Sequence, residues 1–143
     1  YPALRRTTFS LSFDVRPYTS EELPGVFETK PECLSLYEMY QLAGLYASRG
    51  KNPLPVYKKA YEQFPGDIVA VLNYANALLK YGKDADGALQ VLEVVREDSR
   101  VLFPMAIAYD MKGDWRKAEK LLEEAAARGC NRAKAFKAVR VNE

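Results

Sequence analysis

The sequence contains no histidine. That removes the commonest general base, the commonest metal ligand and the side chain that titrates nearest neutrality. Cysteine is nearly absent as well. Cys33 and Cys130 stand far apart with no second thiol near either, so no zinc-type spacing exists. A disulfide between them is not expected, and both read as small buried residues. No run of 18 or more apolar residues occurs, so no segment is expected to insert in a membrane as a helix. Neither sign of charge dominates: 21 Lys and Arg face 19 Asp and Glu, a net charge of +2. Nucleic acid is therefore not an expected partner, because phosphate binding needs a clustered basic footprint. The nearest approach to one is Arg132, Lys134, Lys137 and Arg140, spaced as a solvated helix face.

Chemistry-bearing constellations are missing too. The acidic pairs Glu21-Glu22 and Glu123-Glu124 are adjacent, so their carboxylates take different helix azimuths and cannot flank one bond. The serines have no imidazole to activate them. The eight glycines are scattered as helix stops and form no phosphate loop. A non-enzyme without cofactor or metal is expected.

What remains is a chain of 143 residues, 48% hydrophobic and 28% charged, enough to bury a core. It opens on Tyr1-Pro2-Ala3 without an initiator Met or a signal peptide, which reads either as a piece of a longer protein or as a chain trimmed at its ends. Phe9, Leu11, Phe13 and Val15 alternate with polar residues, predicting a strand. One strand cannot satisfy its own backbone, so pairing between two copies through Phe9–Val15 is a possible route to a homodimer. Residues 19–31 read as a connector with a helix start at Thr19 or Ser20, cut short by Pro24-Gly25.

From Ser35 onward seven helical stretches follow, separated by breaks of two to four residues that make neighbours antiparallel. They stack in register as three pairs. Met39-x2-Leu42-Ala43-x2-Tyr46 precedes Gly50 and then Pro53-x3-Tyr57-x2-Ala60. Val71-x2-Tyr74-Ala75-x2-Leu78 precedes Gly82 and then Ala88-x3-Leu92-x2-Val95. Leu102-x2-Met105-Ala106-x2-Tyr109 precedes Gly113 and then Ala118-x3-Leu122-x2-Ala125. Residues 131–140 form a cap, with Ala133, Phe136, Ala138 and Val139 on the covering face.

This pattern resembles the tetratricopeptide repeat, whose period is about 34 residues. The resemblance implies an all-α, right-handed superhelical array of three helical hairpins plus a capping helix, with the N-terminal β-strand in front. Small Ala43, Ala75 and Ala106 would allow close helix approach, and Gly50, Gly82 and Gly113 would end each first helix in a left-handed cap. The array is divergent. Its small-residue row recurs after 32 and then 31 residues, the middle pair has one residue extra, and the first is two short with Pro53 in an alanine position.

The front is similar to the closing strand of peptidoglycan-binding domains of the outer-membrane-protein-A type, through Leu4-Arg5-Arg6-x2-Phe9-x-Leu11. With Arg16-Pro17-Tyr18, Pro31 and Leu34-Ser35-Leu36-x-Glu38, it looks like the C-terminal region of Gram-negative cell-envelope proteins. This implies an envelope location and two regions: 1–30 as the end of an upstream domain, and 31–143 as the repeat domain.

In this family the groove-facing rows of the first helices hold partners. Here they place Tyr37 and Tyr40, then Leu72, Asn73, Asn76 and Lys80, then Arg100 and Phe103. Exposed aromatics in such rows are frequent anchors. Tyr37 and Tyr40 could equally pack under the connector. Tyr40, Gly44 and Leu72 stand where a grip on a peptide carboxylate needs basic or amide residues, so apolar contact with an extended or helical segment is the expected mode. The expected function is a protein- or peptide-binding module of the cell envelope. The alternative is a spacer or dimerisation element whose groove is filled by its own connector.

Overall fold

The computed structural model of the chain describes residues 16–141, with side chains through Phe136. The expected strand Phe9–Val15 lies outside the described residues. Among those described, all regular structure is helical: α1 (Leu23–Thr29), α2 (Leu36–Ser48), α3 (Leu54–Gln63), α4 (Ile68–Ala77), α5 (Ala85–Glu93), α6 (Leu102–Met111), α7 (Trp115–Ala127) and α8 (Asn131–Val141). Short 3-10 turns at Pro31–Cys33 and Ser99–Val101 precede α2 and α6, and α4 runs on into a π turn at Leu78–Gly82.

The helix starts are chemically marked. Ser35 caps α2 in a reciprocal box: its hydroxyl accepts the Glu38 N–H at 3.2 Å, and its own N–H donates to Glu38 Oε1 at 3.1 Å. Asp67, Asp84 and Asp114 cap α4, α5 and α7 by accepting first-turn N–H groups. Pro24 begins α1 instead of breaking it, because a residue in the first turn has no intrahelical partner for the N–H that proline lacks.

Each helix packs chiefly on the next, from α2 through α8. The core is divided accordingly into three clusters. Met39, Leu42, Ala43, Val56 and Ala60 fill the first, Ala75, Leu78, Ala88 and Leu92 the second, and Ala106, Leu122, Ala125 and Ala133 the third. Ala43, Ala75 and Ala106 are each fully buried, as the close approach of paired helices requires. Ala133 and Phe136 of α8 pack on the third cluster, while Ala138 and Val139, the other two residues expected on that face, lie outside the described side chains.

Two registers differ from those read in the sequence. In α3 the fully buried pair is Val56 and Ala60, while Tyr57 is only half-buried. Pro53 is buried, but it sits at the helix cap. Val56 therefore occupies the row of Ala88 and Ala118, and the first pair is not shortened. In the middle pair Gly82 is not left-handed. Lys83 is, with φ +50°, whereas Gly50 and Gly113 have φ +72° and +85°. The extra residue of that pair is taken up by the π turn, which moves the cap on by one position.

The connector joins the first cluster. Leu23 is buried there, and Tyr18, Val26 and Phe27 pack against it. The Tyr18 N–H donates to Glu38 Oε2 at 3.2 Å, tying the incoming chain to the cap of α2.

Candidate functional site

The second and third pairs and the start of α8 line a half-open cavity of about 390 Å³. Leu72 and Asn76 reach it from α4, Arg100 and Phe103 from the 3-10 turn and α6. Ala125, Arg128, Cys130 and Arg132 close it from the end of α7 and the start of α8. A pocket of this size is within the range that takes a ligand side chain or small molecule. Four of the eight sequence-selected residues thus meet in one place.

Phe103 is positioned by the cap helix. Its ring meets Phe136 edge-on, with centroids 6.2 Å apart and planes at 82°. Arg100 is held by Asp98, through Nε at 3.0 Å to Oδ1 and a terminal nitrogen at 2.8 Å to Oδ2. That side-chain pairing, with the Arg100 backbone N–H on the same carboxylate, pulls the Asp98 acid down to about 2. Arg128 reaches Glu124 one turn back at 3.3 Å. Arg132 has no ion-pair partner among the described residues. No Asp or Glu is among the residues that line the cavity.

The other four selected residues lie elsewhere. Tyr40 is half-buried in the first cluster, its ring 6.0 Å from that of Tyr57. Its hydroxyl is buried without a hydrogen-bond partner. Burial raises its pKa, and the nearby Asn73 side chain opposes that rise without reaching hydrogen-bond geometry. Tyr40 and Asn73 are thus neighbours in the packing between pairs. Tyr37 is 71% exposed and borders a shallow cleft with Arg16, Pro17 and Tyr18 of the connector. Lys80 lies beside the Tyr81 ring, 5.2 Å from its centroid, in a separate depression with Lys51 and Asn52.

Arg128, Cys130 and Arg132 are not legible as site residues in the sequence. They fall at the end of α7, the start of α8 and the turn between, so no groove-facing row of the first helices contains them. Arg132 is visible there only as part of the basic tail. The two cysteines are unpaired, Cys33 exposed and Cys130 half-buried. No described helix is long and apolar enough to cross a membrane.

No protein-family model and no curated protein sequence matches the chain.

Proposed function

We propose that this chain is a non-catalytic protein-interaction module, built as a divergent tetratricopeptide-like array, that holds a partner segment in the cavity between its second and third pairs. One observation carries this reading. Leu72, Asn76, Arg100 and Phe103, chosen from two separate rows of the sequence, line a single cavity. Packing of each helix on the next, a fully buried small residue in each first helix and a last helix that covers the third cluster support the array itself. Placement in the cell envelope, next to a peptidoglycan-anchoring domain, rests on the sequence motifs between Leu4 and Glu38.

Alanine at both Asn76 and Phe103 should weaken capture of partner proteins by about tenfold, since a truncated aromatic anchor typically costs that much. Far-ultraviolet circular dichroism should stay unchanged. Unaltered capture by this double variant removes the cavity from consideration.

A second reading is a spacer or dimerisation element, and one contact favours it. The connector lies along the first pair, where Arg16, Pro17 and Tyr18 border the cleft beside Tyr37. In this reading the connector fills the first end of the groove, and strands from two chains pair through Phe9–Val15. Light scattering with and without residues 1–16 separates the two. A monomer in both cases eliminates strand pairing.

A further inference from the structure

The cavity is apolar inside and positively charged around its opening. Leu72, Phe103, Pro104 and Ala125 supply carbon surface. Arg100, Arg128 and Arg132 supply three guanidinium groups from three different elements. Their neutralising partners are incomplete. Asp98 occupies two nitrogens of Arg100 and leaves its remaining N–H donors unused. Glu124 makes a single 3.3 Å contact with Arg128, and Arg132 has no counter-charge among the described residues. The first turn of α8, which begins beside Cys130, carries no acidic residue to offset its partial positive charge. Lining residues therefore include three cations and no anion.

Charge complementarity selects the occupant. An apolar side chain alone would fill the interior and leave Arg132 without a carboxylate, with Arg100 and Arg128 held only by Asp98 and Glu124. A basic segment would be repelled as it approached. A segment with carboxylates on either side of an apolar anchor meets both requirements. Arginine is the side chain best suited to that partner, because its planar donors match a carboxylate in pairs. The three groups come from separate elements around the rim, which suits carboxylates spread along a chain.

We infer that the cavity recognises an acidic peptide segment, with an aromatic or large aliphatic residue seated against Phe103 and Leu72 and flanking Asp or Glu side chains paired with Arg100, Arg128 and Arg132. This rests on the reading of the cavity as the partner site.

The test is selection of random short peptides, displayed on phage without a free C-terminus, against the whole chain. Enriched sequences should carry an aromatic or aliphatic residue flanked on both sides by Asp or Glu. Synthetic copies should bind about tenfold more weakly to Arg132→Ala and to Arg128→Ala, the loss expected for one charge-assisted hydrogen bond. Phe103→Ala should weaken them similarly, while Arg132→Lys should retain more binding than Arg132→Ala. Added salt should weaken binding to the unaltered chain more than to Arg132→Ala. Circular dichroism of each variant checks the fold. Neutral or basic peptides that lose binding in Phe103→Ala would overturn the acidic partner and leave the cavity as a partner site. Peptides indifferent to Phe103→Ala, or no enrichment at all, would overturn both.

Discussion

The amide of Asp84 donates at 3.0 Å to the carbonyl of Leu78, six residues back. The corresponding bonds of the other two pairs run five residues back, from Lys51 to Tyr46 at 2.8 Å and from Asp114 to Tyr109 at 2.9 Å. The accepting residues are the three members of one row: Tyr46, Leu78 and Tyr109. The same carbonyl thus closes each first helix, and the middle pair fits its extra residue inside that closure.

The consequence for stability falls on Lys83. A side chain with a β-carbon at φ +50° is strained, and glycine is not. Lys83→Gly should therefore raise stability by about 0.5 kcal/mol, the gain being trimmed by the greater freedom of glycine in the unfolded chain. Gly113 has φ +85° and open space on the side where a β-carbon would project. Gly113→Ala should therefore meet no clash and cost about 1 kcal/mol through backbone strain alone. Urea midpoints of the two variants should move in opposite directions.

Glu38 serves both the cap of α2 and the incoming connector. Desolvation raises its pKa, but the Ser35 N–H, the Ser35 hydroxyl and the Tyr18 N–H outweigh it, and the net shift is downward. A depressed folded pKa adds stability that is complete above the unfolded value and is lost as pH falls through the folded one. Urea midpoints should therefore drop as pH falls below the usual Glu range. Glu38→Gln should flatten that drop. An equally steep acid limb in the variant would assign it to other carboxylates.

Truncation in one cluster should be felt mostly there. Leu122 is 1% exposed in the third cluster, and Leu122→Ala should cost about 2–4 kcal/mol. Amide exchange should accelerate in α7 and α8 well before it does in α2 and α3. Uniform acceleration would show that the three clusters open as one.

The thiols offer a geometric check. Cys33 is exposed in the 3-10 turn before α2, whereas Cys130 is half-buried in the cavity wall. Alkylation of the native chain should modify Cys33 first. Once Cys33 is replaced by Ser, a bound acidic peptide should slow modification of Cys130.

Much of the helical order is legible in the sequence because it is written in local chemistry. The stops at Gly50 and Gly113 and the small row of Ala43, Ala75 and Ala106 each state their role within a few residues. The register of α3 is not legible. Pro53, Val56 and Ala60 are all apolar or small, and a proline in an alanine position is discounted only once the helix is seen to start after it. The left-handed cap falls on Lys83 and not on Gly82, the residue type usually chosen for it, and nothing in the local sequence announces a π turn. The candidate site is half legible. Leu72, Asn76, Arg100 and Phe103 lie on periodic rows, whereas Arg128 and Arg132 join them only through the fold of the last turn.

The three-part core also bears on how the chain acquires its structure. Each cluster is built from helices adjacent in sequence, so its contacts close short loops and cost little chain entropy. Folding can begin at any pair and spread to its neighbours. A nascent chain could thus set its first pair before the cap helix had been made, and the arginine-rimmed cavity would be the last feature to take shape.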